Sequence, residues 1–294
     1  MQNSIDGFLK YLKENKKSSD NTIAAYRRDI TAYNDFLLKN SIRTVSEIKN
    51  HHLNNYISYK SAIGASLATV NRNLASIKAF YKYLATQELI DMPAVQKKLE
   101  AKKEKTLPQI LSSEEMDHLL SAPDTNTTKG IRDKAMLELL YATGVKVSEL
   151  ILVKMCDLNT DVGFLKCKDD RILPIYKIAV KCLTNYLRNA RPFLIADISP
   201  ESPLFTNSSV EIMTRQGFFK ILKYYQKKAD ISTPVTPQTL RHSFAVHMLE
   251  NGADLKFIKE LLGHSDISTT QMYATILKNK FNVSYKKFHP RSSY

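Results

Sequence analysis

Apolar residues in the first hundred positions recur at steps of three and four. After Ser19 and Asp20 they fall at Ile23, Tyr26, Ile30, Tyr33 and Leu37, which is one face of a helix. A second stripe, Leu67, Val70, Leu74, Ile77, Tyr81 and Leu84, follows Ser66. Ser and Asp at the heads of these stripes suit N-caps, because a side-chain oxygen can accept from an otherwise unpaired first-turn N–H. Shorter helices are expected over 3–15 and 46–61, so 1–95 reads as a helical bundle. Arg27, Arg28, Arg72 and Lys78 lie off the stripes. They are either solvated cations or the side that meets an anionic partner.

The segment QKKLEAKKEKTLP, 96–108, is charged, nearly devoid of apolar residues and ends at Pro108, which is a linker composition. A second domain is expected over 109–294. LSSEEMDHLL opens it, with Ser112 or Ser113 as a cap on an acidic first turn. Helices are predicted at about 130–142, from after Gly144 through VSELILV, and at about 177–189, 209–228, 238–250, 254–262 and 269–281. Only GFLKCKDDRILPI, 163–175, alternates like strands, with Asp169-Asp170 placed for a short hairpin. The fold class is mainly α with one small antiparallel sheet.

Charge adds a partner to this picture. Lys and Arg number 43 against 29 Asp and Glu, a net charge of +14. The excess is spread over both halves, so no basic tail carries it. Neutralising phosphates releases counterions, so such a surface favours nucleic acid. No uncharged apolar run approaches the ~20 residues of a membrane span, and MQNSIDGFLKYLKENKK lacks a signal-peptide core. Cys156, Cys167 and Cys182 form no CxxC pair, which argues for a reducing cytoplasm and against a disulfide framework or a zinc site. The expectation is a cytoplasmic protein with no membrane contact, no metal and no cofactor.

The candidate chemistry lies near the C-terminus. LLGHSDISTTQMYATI, 261–276, sets His264 nine residues before Tyr273, with Ser265, Asp266, Ser268 and Thr269 between them. TPQTLRHSFAVH occupies 236–247, and RDKAMLELLYATGVKVSEL occupies 132–150. Together these segments resemble the Xer branch of the tyrosine recombinase/integrase family. SSDNTIAAYRRDI and TVNRNLASIKAFYKYL are similar to that branch's core-binding domain, so the resemblance covers nearly the whole chain. It implies a SAM-like helical DNA-binding domain ahead of a catalytic domain. It also implies site-specific cutting and rejoining of duplex DNA through a 3′-phosphotyrosine.

That reaction needs a nucleophile, donors for the phosphate oxygens and a proton for the departing 5′ oxygen. The resemblance makes Tyr273 the nucleophile, Arg241 the second phosphate-binding arginine and His264 a hydrogen-bonder to the scissile phosphate. Arginine's planar fork suits two phosphate oxygens at once. His242 and His247 share the Arg241 segment, but the family pattern gives neither a catalytic role. They read as packing or DNA-backbone residues.

Three departures stand out. The family's first arginine falls at Lys146, which keeps the charge but loses the fork. Its histidine before the second arginine falls at Gln238, which can donate a hydrogen bond but cannot shuttle a proton near neutral pH. The hairpin that should supply a lysine acid is short in CKDDRILPI. Lys168 is the first candidate and Lys166 the second, with Asp169 and Asp170 beside them to repel phosphate.

Two readings follow. One is a recombinase with an atypical, attenuated site; the other is a catalytically impaired DNA-binding homologue with an accessory or architectural role. A third, a helical protein-interaction module with incidental charge, predicts no DNA affinity. The resemblance further implies a tetramer on two synapsed sites, room for a partner recombinase, and a tail, LKNKFNVSYKKFHPRSSY, exchanged between protomers.

Overall fold

The computed structural model describes residues 1–90, 108–264 and 270–278. The chain forms two compact units, Met1–Thr106 and Leu107–Tyr294. Positions 96–107 of the expected linker lie outside the described residues, as do Ser265–Thr269 and positions 279–294 of the tail.

Among its described residues the first unit is a bundle of four helices: α1 Gln2–Glu14, α2 Asp20–Lys39, α3 Asn50–Ala62 and α4 Leu67–Thr86. Ser19 accepts from Thr22 N and Ser66 from Thr69 N, so both predicted caps close their helices. The two stripes supply the core. Ile30, Tyr33 and Leu37 of α2 meet Val70, Leu74, Ile77, Tyr81 and Leu84 of α4, and Phe8 of α1 fills the remaining space. The Tyr33 and Tyr81 hydroxyls satisfy each other in the interior by a short hydrogen bond. Leu67 does not follow its stripe. It is 59% exposed, because it is the first residue of α4 and has no turn before it to cover it.

The second unit is also mainly helical. α5 Ser113–Ser121 begins with a capping box in which Glu115 N donates to Ser112 Oγ and Ser112 N donates to Glu115 Oε2. α6 Thr128–Thr143 carries Ala135, Met136, Leu139 and Leu140 into the core beside α8 Lys177–Asn189. The sheet is antiparallel in the order β1 Leu158–Asn159, β2 Phe164–Lys166, β3 Ile172–Pro174. Leu165 pairs with Leu173, so the predicted hairpin forms. A 3₁₀ turn over Lys168–Asp170 closes it, with Asp170 in the left-handed region at φ 57°.

Two helices are shorter than the apolar pattern suggests. α7 covers only Val147–Leu150, since the chain then turns outward and leaves Leu152 62% exposed. α10 is Arg215–Lys228, not 209–228, because Thr206 bridges to Ile212 and Thr214 caps the helix by accepting from Gly217 N. A four-residue α9, Arg191–Leu194, went unpredicted. α11 Pro237–Glu250 and α12 Leu255–Leu262 complete the frame, and a helical segment over 270–278 follows. None of the described helices is long and apolar enough to cross a membrane.

Candidate active site

Four chain segments converge on one cleft. Thr236 caps α11 by accepting from Thr239 N, and Pro237 occupies the first turn, where its missing N–H costs nothing. This start leaves Gln238 exposed at the helix mouth and turns Arg241 and His242 inward. α6 ends at Gly144 in the left-handed conformation, φ 60°. A Cβ there would lie 2.4 Å from Phe244 Cδ1, so the reversal that delivers Lys146 to α7 requires glycine. α12 ends the same way at Gly263, φ 62°, and His264 follows. The segment 270–278 brings Tyr273. Lys146, Gln238, Arg241, His242, His264 and Tyr273 all line a cleft of about 660 Å³.

Arg241 is the keystone of this arrangement. It is 7% exposed; its Nη1 donates to Gly144 O at 2.6 Å and its Nη2 to Leu262 O at 2.5 Å. Those carbonyls are the C-terminal ends of α6 and α12, where the helix dipole places partial negative charge. One guanidinium therefore ties together the two turns that present Lys146 and His264. Its Nε–H and the second N–H of each Nη make no hydrogen bond to a described residue, so a phosphate has a fixed set of donors to meet.

Tyr273 is 1% exposed and its hydroxyl shares a 3.0 Å hydrogen bond with His242 Nδ1. Its ring lies nearly parallel to that of His264, 6.4 Å between centroids and 16° apart. Burial pushes the phenol up to about 12, and the Arg241 charge pulls it partly back. Ionising such a phenol at pH 7 costs roughly 7 kcal/mol, so a free phenolate does not accumulate. A reaction at this oxygen would have to remove the proton as the new bond forms. His242 is pushed down to about 4 by burial and by the nearby Arg241 and His264. It is therefore neutral at pH 7 and able to accept from the Tyr273 hydroxyl.

His264 is also pushed down to about 4, by burial first and then by Arg241, Lys146 and Arg171. Its Nδ1 and the Thr270 hydroxyl lie 2.9 Å apart, which fixes the ring and leaves Nε2 for the cleft. Behind these residues sits Arg171. It donates from Nη1 to Leu261 O and from Nη2 to Glu149 Oε1, both at 2.7 Å, while Glu149 Oε2 accepts from Lys146 N at 2.8 Å. Hairpin, α7 and α12 are thereby cross-braced around the cleft.

Tyr273, Arg241, His264, Lys146 and Gln238 are thus brought together. Lys168 and Lys166 are not among the lining residues. Lys168 starts the 3₁₀ turn, and exposed Lys166 pairs with Asp170 at 2.9 Å. His247 is a packing residue, bonded to Tyr141 Oη at 2.8 Å and to Leu111 O at 3.0 Å. His242 is not merely that, since it touches the nucleophile candidate. Its place directly after Arg241 was the available signal. Nothing local in CKDDRILPI marks Arg171 for this bracing role. In the first unit Arg28 donates to Ala24 O, Arg27 pairs with Asp6, and Arg72 pairs with Asp29. Lys78 is half-buried on α4. No His, Cys, Asp and Glu cluster suited to a metal occurs among the described residues.

The two histidines make the fold sensitive to acid. In the unfolded chain they charge near the usual 6.5, and in the fold only near 4. Between those values the unfolded chain binds more protons, so stability falls as pH drops through this window. For buried His242 the loss is roughly 3 kcal/mol, and solvent screening makes it smaller for the less buried His264. Urea midpoints at pH 7 and pH 4.5 should therefore differ less in His242→Gln than in the parent. Equal pH dependence would mean that His242 is not held neutral.

Comparisons with known proteins agree on the family. The model of the phage integrase family matches residues 109–280, and that of the phage integrase N-terminal SAM-like domain matches residues 5–88. Tyrosine recombinase XerD of Listeria innocua is 41% identical over 301 residues, covering 99% of this chain and all of that one. Tyrosine recombinase XerD of Oceanobacillus iheyensis is 39% identical over 297 residues, with the same coverage. The crystal structure of XerA recombinase superposes with a TM-score of 0.54 at 26% identity, over 98% of this chain and 99% of that one. A XerH site-specific recombinase bound to palindromic difH substrate superposes with a TM-score of 0.75 at 19% identity, over 96% and 84%, a likeness of fold.

Proposed function

The chain belongs to the phage integrase family, and from that premise we propose how it breaks and rejoins duplex DNA as a Xer-type tyrosine recombinase. A backbone phosphate enters the cleft between the unused N–H groups of Arg241, the Lys146 ammonium and His264 Nε2. The Tyr273 oxygen attacks phosphorus as its proton passes to His242 Nδ1. The bond to the 5′ oxygen breaks, and that oxygen takes a proton from an acid, for which Lys168 is the first candidate and Lys166 the second. The 3′-phosphotyrosine conserves the bond energy, so rejoining is the reverse attack by a 5′ hydroxyl and needs neither metal nor nucleotide. The carrying observation is that Tyr273, Arg241 and His264 line one cleft together with Lys146, which lies about a hundred residues earlier in the chain.

Lys146 and Gln238 attenuate this chemistry. Losing one preorganised donor costs about 10²–10³ in rate in well-studied enzymes. Lys146→Arg with Gln238→His should therefore raise the rate of covalent adduct formation on a nicked suicide duplex by about tenfold or more. An unchanged rate would mean that these positions do not limit cutting. The second reading, a DNA-binding homologue that no longer cuts, rests on the same two departures. It predicts salt-sensitive duplex binding with no adduct from either the parent or the double variant. On the first reading the working form is a homo-tetramer on two synapsed sites, alone or with a partner recombinase. The reading as a protein-interaction module ends with family membership.

A further inference from the structure

The first unit holds a buried carboxylate, one of whose partners reaches the surface. Asp29 of α2 is 3% exposed and accepts four hydrogen bonds. Arg72 of α4 donates from Nε at 3.1 Å and from Nη2 at 2.8 Å, Asn73 Nδ2 donates at 3.0 Å and Ser76 Oγ at 2.8 Å. Asn73 and Ser76 are themselves buried. Arg72 differs from them: its side chain keeps 53% of its exposure.

The geometry of that pair decides what Arg72 can do. The carboxylate takes the Nε and Nη2 edge of the guanidinium. The end of the fork, with both N–H groups of Nη1 and the second of Nη2, bonds no described residue. An arginine free in solvent must lose rotamer freedom to bind; this one is already fixed in plane and direction by Asp29. Such a fork can hold two oxygens of one phosphate or two acceptors on one base edge. A fixed planar pair of donors matches two acceptors on one edge, and in duplex DNA the N7 and O6 of guanine present them in the major groove.

The neighbouring residues suit such an approach. Ala68 and Ala75 lie one turn before and after Arg72 on the same face of α4, and both are exposed. Small side chains there let a helix of about 10–12 Å diameter enter a groove about 12 Å wide, and their methyls can meet thymine methyls. We infer that Arg72 is a base-reading residue, held by Asp29 to donate two hydrogen bonds to N7 and O6 of a guanine in the target duplex. The inference rests on the chain being a DNA recombinase, and it gives that reading one element of its sequence choice.

The test is selection from randomised duplexes by the full chain and by its Arg72→Lys and Arg72→Gln variants. The parent should enrich guanine at one position by about 10- to 100-fold over other bases. Arg72→Lys should lose that preference and still bind duplex in a salt-sensitive way. Arg72→Gln should shift the position toward adenine, whose N6 and N7 suit a carboxamide. Replacing the guanine by 7-deazaguanine should weaken the parent and leave Arg72→Lys unaffected. Unchanged guanine enrichment in Arg72→Lys, or an equal 7-deazaguanine effect in both proteins, would overturn the inference. If Tyr273 adducts still formed on duplex in that case, only this inference would be lost. If no duplex were bound at low salt, the recombinase reading would be lost with it.

Discussion

Tyr273→Phe should abolish covalent attachment to a nicked duplex and leave duplex binding intact. The substitution keeps the buried ring and its parallel placement against His264. It removes the oxygen that would attack phosphorus, and with it the hydrogen bond to His242 Nδ1. Leaving that nitrogen unpaired costs about 1–3 kcal/mol of stability, which a folded domain of this size tolerates. Loss of a covalent nucleophile is of another order, roughly 10⁴-fold or more in rate. Denaturing gels after incubation with a suicide duplex would read the adduct, and gel shifts on the same samples would read binding. Undiminished adduct in Tyr273→Phe would remove this residue from the reaction.

The second large effect is expected at Arg241, whose guanidinium braces two turns and is proposed to hold the phosphate. Arg241→Lys keeps a charge but cannot reach Gly144 O and Leu262 O together, since one ammonium replaces a fork that spans both. Single-turnover cutting should fall about 10²–10³-fold from the lost phosphate donors. The melting temperature should fall too, because an unpaired buried carbonyl costs about 1–3 kcal/mol. Arg171→Lys separates the two causes. Arg171 braces Leu261 O and Glu149 and does not line the cleft, so its substitution should lower stability with a smaller loss of rate. Arg241→Lys cutting at the parental rate would contradict a phosphate role for this guanidinium.

The cleft was legible in the sequence to an unequal degree. Helix faces were readable because their stripes end in capping serines, as at Ser19 and Ser66, and local rules suffice there. The hairpin was readable from alternation around Asp169-Asp170. Positions that depend on distant chain segments were not. The contact of His242 with Tyr273 spans 31 residues, and that of Arg241 with Gly144 spans 97. Periodicity cannot see either, so His242 read as a packing or DNA-backbone residue and Arg241 as a phosphate clamp without its structural half. Arg72 read as a surface cation that could meet DNA, without its anchor, because Asp29 lies 43 residues earlier on another helix. Overlong helices at 147–153 and 209–228 share one cause. The chain leaves the core where apolar residues continue, and tertiary context overrides the local pattern.

The covalent link itself is the most informative quantity to measure. Trypsin would release residues 260–278, ELLGHSDISTTQMYATILK, a peptide that holds a single tyrosine. After reaction with a suicide duplex and nuclease trimming, mass spectrometry should find the 3′-linked nucleotide on this peptide, at Tyr273. Nucleotide on any other tyrosine, or none from either the parent or the Lys146→Arg, Gln238→His variant when both bind duplex, would contradict phosphoryl transfer at this cleft.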